Sequence, residues 1–233
     1  MLEFVLENTT EKVIQLTRIQ KLIGKRMLES KLTKPCFYIE ARCDVTELMA
    51  IRPKLRKAVG VKVTTNAFYI YTLAHAVVKF PMTVAAVDGD NYRIADRVNV
   101  GFAVQAPQGL VVPVIKDADK KSLSEIAKEE IALTEKARDN QLTLEDMEGE
   151  TIALSNLGAY DIDSFIGIVP LPTTTILAVG KIGPSLLPID GKAVERKTVT
   201  ITLAADHTVI DGAYAARFLS YIKDELENPR NLI

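Results

Sequence analysis

Thr198-Val199-Thr200-Ile201-Thr202-Leu203-Ala204-Ala205-Asp206-His207-Thr208-Val209-Ile210-Asp211-Gly212 is the stretch on which the reading of this chain turns. Thr198 to Ala205 is an apolar run of strand length. Beyond Gly212, Ala215, Phe218, Leu219, Ile222 and Leu226 recur at helical spacing and fall on one face. A strand therefore feeds an amphipathic helix through a short loop, and the loop carries a histidine. A junction of this kind lets a side chain project from a rigid frame into a cleft.

Outward from that unit, strands and helices continue without strict alternation. Gln15 to Ser30 has a helical stripe at Ile19, Leu22, Ile23 and Met27, ending before Pro35. Cys36 to Val45 reads as a strand. Thr46 to Val59 reads as a helix that Pro53 interrupts or restarts, closed by Gly60 as its C′ residue. Ala67 to Phe80 is apolar nearly all round, which predicts a buried helix stopped by Pro81. Val84 to Val87 leads into the hairpin signal Asp88-Gly89-Asp90. Val98 to Gln105 and Leu110 to Ile115 are strand runs separated by Pro107-Gln108-Gly109. Ser122 and Glu125 form a capping box that opens a helix to about Arg138. Thr151 to Leu154 and Thr175 to Ile182 are further strand candidates. With no internal repeat, flexible linker or Gly-rich phosphate loop in sight, the expected fold is one α/β domain over residues 1–233. It is an α+β two-layer sandwich, a mixed β-sheet with helices packed over it.

Composition narrows the function classes. A formal net charge of −1 gives no electrostatic pull toward nucleic acid or an anionic membrane. No apolar run approaches the ~20 residues that span a bilayer, and Met1 to Thr10 lacks the apolar core of a secretory signal. A reducing compartment is expected: the cytoplasm, or the mitochondrial matrix in a eukaryote. The two cysteines agree. Seven residues of strand hold Cys36 and Cys43 roughly 23 Å apart on opposite faces, beyond disulfide reach.

Chemistry has few places to reside. His75 lies in the apolar helix beside Ala74, Ala76 and Val77 and reads as a satisfied core residue. At His207, histidine is a residue type suited to general-base work, because its unperturbed pKa of ~6.5 lies near operating pH. Equally, Asp211 reads as the N-cap of the last helix, with His207 an incidental loop residue. Two distant histidines and two cysteines make no metal cluster. Ser155, His207 and Asp211 are the residue types of a serine hydrolase, but no Gly-x-Ser-x-Gly elbow is present. Lys116, Lys120 and Lys121 read as a solvated loop balanced by Asp117 and Asp119.

His207-x-x-x-Asp211-Gly212, followed by Ala213 and Ala216-Arg217-Phe218-Leu219, resembles the signature of the dihydrolipoamide acyltransferases. These are the E2 components of 2-oxo acid dehydrogenase complexes, which share the chloramphenicol acetyltransferase fold. Gly24-Lys25-Arg26-Met27, Gly60-Val61-Lys62, Asn66-Ala67-Phe68, Gly109 to Ile115, Ser155-Asn156-Leu157-Gly158 and Ile176 to Gly180 match in order, so the similarity runs from Arg18 to Leu232. The resemblance implies acyl transfer between coenzyme A and a dihydrolipoyl thiol, both as substrates, with no metal and no lipoyl-lysine in this chain. His207 would be the general base, Ser155 the oxyanion donor and Asp211 a structural anchor, with Asn156 and Gly212 shaping the backbone. It further implies a homotrimer with the site between subunits, a higher cubic assembly left open, and a lipoyl domain or lipoyl-bearing protein as partner.

The departures from the family pattern bear on substrate choice. Thr208 stands where Arg is usual, Gln20 where Arg is common, and Val84 in place of Asn. Ile166, Gly167 and Pro170 replace Thr, Pro and Asn. The chain begins almost at once with the catalytic match, without a lipoyl or peripheral-subunit-binding domain, as an excised core or a free-standing relative would. Two alternatives stand beside acyl transfer to dihydrolipoyl groups. One is a scaffold that has lost turnover; the other is a CoA-dependent acetyltransferase for a small hydroxyl or amine.

Overall fold

The computed structural model describes residues 13–107 and 109–229. The stretch Met1 to Thr10, read as carrying no secretory signal, lies outside them. In chain order the elements are α1 (Arg18–Thr33), β1 (Cys36–Asp44), α2 (Thr46–Val59), α3 (Thr65–Lys79), β2 (Ala85–Asp88), β3 (Asn91–Ile94) and β4 (Val100–Phe102). There follow β5 (Val104–Ala106), β6 (Gly109–Val111), β7 (Val114–Ile115), α4 (Leu123–Arg138), β8 (Ile152–Asn156), β9 (Thr175–Val179), β10 (Gly183–Ile189), β11 (Lys192–Asp206) and α5 (Gly212–Glu227).

Seven strands form the main sheet in the order β1-β11-β9-β8-β4-β7, with β10 paired to the outer half of β11. β8 runs parallel to β9 and β4, and the remaining pairs are antiparallel. The sheet is mixed, as expected, and helices cover one face of it.

Side-chain alternation decides which face is which. Ile152 and Leu154 of β8, Leu177 and Val179 of β9, and Val199, Ile201, Leu203 and Ala205 of β11 pack into the core under the helices. The intervening Ala153, Ile176 and Ala204 form a second, smaller cluster with Val169 on the opposite face. Cys43 joins the first cluster and Cys36 packs against the second, so the two thiols do point to opposite faces and both are free. Within the helical layer, α3 buries Ala67, Phe68, Tyr69, Ile70, Leu73, Ala74 and Val77, and α5 buries the five residues of its apolar stripe.

Local chemistry explains the element ends. Ser122 and Glu125 exchange the two bonds of a capping box at α4, and Thr17 and Gln20 do the same at α1. Gly60 closes α2 at φ 76°, a conformation that favours glycine.

Four expectations need correction. α2 runs unbroken through Pro53, because Leu48 and Leu55 on either side are both anchored in the core. The stripe on α1 does not face a core in this chain: Leu22 and Ile23 are exposed. The run Val98 to Ile115 is not two long strands but four short ones, split between the main sheet and a separate β5–β6 hairpin. Strand β10 was not expected at all, since Pro184 and Pro188 remove two backbone donors from it. It survives as an edge strand paired only with β11, where those donors are not needed.

Candidate active site

His207 follows the last residue of β11 and is exposed. Its backbone N–H donates to the carbonyl of Pro35 at 3.1 Å, and its ring packs edge-on against Phe37 with centroids 4.8 Å apart. The imidazole therefore stands at the rim of the sheet on a fixed backbone. The loop itself is organised by Asp206, which sequence reasoning missed. Its Oδ1 accepts from Thr208 N at 3.0 Å and Thr208 Oγ1 at 2.7 Å, and its Oδ2 pairs with Lys34 Nζ at 3.3 Å. Its carbonyl also accepts from the N–H groups of Val209 and Ile210. One signal was available: a charged residue ending an apolar strand must find a partner. Its partner, Lys34, is far away in sequence and could not be read.

Asp211 is the N-cap of α5, its Oδ1 accepting from Tyr214 N at 2.7 Å. Gly212 opens that helix, and a Cβ built on it would meet nothing within 4 Å, so the chain's own packing does not demand glycine there. Gln20, which stands where Arg is common in the family, is committed to its own helix, where its Oε1 accepts from Thr17 N.

Ser155 is half-buried near the end of β8. Its neighbour Asn156 shapes the exit of the strand: Nδ2 donates to Asn66 Oδ1 at 2.8 Å and Oδ1 accepts from Gly158 N at 2.8 Å. Gly158 is required by close approach, since a Cβ there would lie 2.7 Å from the carbonyl oxygen of Gly180. Beside this turn opens a cleft of about 460 Å³ lined by Asn66, Tyr69, Glu130, Asn156 and Gly180. Burial raises the Glu130 carboxyl above its ordinary value, with a hydrogen bond from Thr64 opposing the shift.

The sheet register settles how Ser155 and His207 stand to each other. Ser155 pairs with Ala178, and Ala178 pairs with Thr202. From Thr202 the chain runs five residues further to His207, in the direction opposite to that in which β8 ends. At ~3.4 Å per residue and ~4.8 Å per strand spacing, the two Cα atoms are roughly 20 Å apart. One chain does not bring them together.

Other candidates are placed as follows. His75 is half-buried and stacks on Tyr71 with centroids 4.2 Å apart, but its Nε2 is buried without a hydrogen-bond partner, so it is packed and not satisfied as expected. Lys120 pairs with Asp117 and Lys121 with Glu129, which keeps that basic loop internally balanced. Among the described residues no group of three or more His, Cys, Asp or Glu could hold a metal ion. No helix there is long and apolar enough to cross a membrane. Glu150, missed in the sequence, lines a second cavity of about 330 Å³ with Thr173 and Thr174, and its Oε2 has no partner.

The sheet order and helical layer are those of the chloramphenicol acetyltransferase fold: that enzyme superimposes with a TM-score of 0.52 over 87% of this chain and 94% of its own, at 15% identity. At that identity only the fold is common. Within this fold class the chain belongs to one family, the 2-oxoacid dehydrogenases acyltransferase (catalytic domain), whose family model matches residues 8–233. The dihydrolipoyllysine-residue acetyltransferase component of the pyruvate dehydrogenase complex of Rickettsia prowazekii is 36% identical over 91% of this chain and 53% of its own length. The chain thus spans about half the length of the curated relatives it matches. Azotobacter vinelandii dihydrolipoamide acetyltransferase, solved in a study of one serine, one histidine and one asparagine in its catalytic mechanism, is 32% identical. It covers 100% of this chain and 98% of its own, with a TM-score of 0.90. A solved cubic core of a pyruvate dehydrogenase multienzyme complex matches equally, at 32% identity, the same coverage and a TM-score of 0.90.

Proposed function

We propose that this chain transfers an acyl group between coenzyme A and a dihydrolipoyl thiol, in a homotrimer whose active sites lie between subunits. His207 takes the proton from the attacking thiol. The thiolate adds to the thioester carbonyl, and Ser155 of the facing subunit donates a hydrogen bond to the tetrahedral oxyanion. Collapse of that intermediate expels the second thiolate, which recovers the proton from His207. Loss of a single oxyanion donor typically costs ~3–4 kcal/mol of transition-state stabilisation. Asp211 fixes the first turn of α5 and, through it, the far end of the histidine loop.

One observation carries this reading. A chain of the acyltransferase family carries His207 and Ser155, the two residues to which the resemblance assigns the chemistry, and holds them roughly 20 Å apart at opposite ends of one sheet. A second copy resolves the separation. The exposed Leu22, Leu28 and Leu32 of α1 and the exposed Ile166 and Ile168 of the loop before β9 support such a copy, because they leave large apolar side chains in water that a neighbour would cover. The cubic core among the solved relatives is the precedent for assembly beyond three subunits, and a lipoyl-bearing protein is the partner that presents the dihydrolipoyl arm.

The test is thiol release from a panel of acyl-CoAs with and without dihydrolipoamide. We expect release that depends on dihydrolipoamide and is lost in His207→Ala while the assembly mass is unchanged. Undiminished turnover by His207→Ala would remove it as the base. A wild-type chain inert toward every donor but binding partners tightly would be a scaffold.

A further inference from the structure

Two contacts tie the histidine loop to the segment joining α1 and β1. His207 N–H donates to the Pro35 carbonyl at 3.1 Å, and the side chains one residue earlier in each segment repeat the link, Asp206 Oδ2 to Lys34 Nζ at 3.3 Å. Asp206 is 5% exposed and the Lys34 side chain 12% exposed, so this pair is withdrawn from solvent. The same carboxylate holds both the N–H and the hydroxyl of Thr208 through its other oxygen, and its backbone N–H donates to Thr174 at 3.0 Å. His207 thus sits between Asp206 and a Thr208 that Asp206 holds.

A buried ion pair contributes little net stability compared with apolar residues of the same shape, because desolvating both charges offsets their attraction. What it does supply is direction. The ammonium group can sit in one place only if the carboxylate faces it, and the carboxylate carries the loop with it. Lys34 meets one carboxylate oxygen of Asp206 and Thr208 the other, so together they fix the rotation of that side chain and the path of the backbone into His207.

We propose that Lys34 is a positioning residue for the imidazole, acting through Asp206 and touching neither thiol nor thioester. The proposal rests on His207 serving as the base. Misplacement of a catalytic group by about 1 Å can cost 10²-fold in rate. Lys34→Met should therefore lower kcat about 10- to 100-fold while the KM for acyl-CoA shifts less than about threefold. Lys34→Arg, which keeps the charge, should recover most of the rate.

The experiment measures kcat and KM for wild type, Lys34→Met, Lys34→Arg, Asp206→Asn and His207→Ala with the best donor of the acyl-CoA panel and dihydrolipoamide. Urea midpoints and assembly mass accompany each variant. Asp206→Asn keeps the shape and the Thr208 acceptor but removes the charge facing Lys34. It gives the same readout should Lys34→Met fail to assemble. A wild-type kcat in Lys34→Met or in Asp206→Asn overturns the inference. So does a KM that rises in proportion to any loss, or an arginine variant no better than methionine. Those outcomes leave His207 as base intact if His207→Ala is dead. Full activity in His207→Ala instead sinks the underlying reading, and this inference with it.

Discussion

Glu150 shows how a single side chain can work against the fold that holds it. Burial raises its carboxyl to about 7 against the opposing charge of Arg26, and its Oε2 has no hydrogen-bond partner. A carboxyl that binds its proton more tightly in the folded state favours folding in acid. That advantage is lost as pH rises from the ordinary value of 4.5 through 7. At about 1.4 kcal/mol per pH unit, the penalty above pH 7 reaches up to about 3 kcal/mol. Glu150→Gln should therefore melt higher than wild type at pH 8, with the gap closing below about pH 4.5; an equal melting temperature at pH 8 would refute the buried charge. At this scale sequence legibility was uneven. His207 and Ser155 stood out because each closes an apolar strand in a matched motif. Glu150 and Asp206 did not, since a lone acid in a sequence reveals nothing about whether water reaches it.

At the level of elements, what was local was legible and what was distant was not. The capping box of α4 and the five-residue stripe of α5 depend on residues three or four apart, and both formed as read. The same two helices give a graded prediction. Ser122→Ala removes one cap bond at an exposed helix end and should cost about 1 kcal/mol. Phe218→Ala empties a fully buried ring position that packs against Phe80 at 5.8 Å and should cost about 3–5 kcal/mol. Urea unfolding of the two variants tests the order, and near-equal losses would mean the α5 face is not the core it is taken to be. β10 was hidden for the converse reason. Its prolines argue against a strand until one knows that it lies at an edge, and edge position is a property of the whole sheet. The short strands between Val100 and Ile115 were likewise blurred, because their division depends on which run reaches the main sheet.

For the whole molecule, the roughly 20 Å between Ser155 and His207 converts a mechanistic proposal into a question of assembly. If each site takes its histidine from one subunit and its serine from the next, two inactive chains can complement each other. His207→Ala supplies intact serines and Ser155→Ala supplies intact histidines. Denatured together in equal amounts and refolded, they distribute at random around a cyclic trimer. Each site then has a one-half chance of an intact histidine and an independent one-half chance of an intact serine. About a quarter of the wild-type activity should return, although neither parent refolded alone shows more than its residual rate. A site contained in one chain gives a different result, because every protomer in the mixture carries one of the two lesions and no combination repairs it. Activity that stays at the mean of the two parents, in a mixture shown by mass to contain hybrid trimers, would therefore defeat the shared site. Recovery near a quarter is the value for any site that joins the histidine of one chain to the serine of another; in a trimer of the expected mass, every subunit then gives its histidine to one neighbour and its serine to the other, as opposite ends of one sheet require.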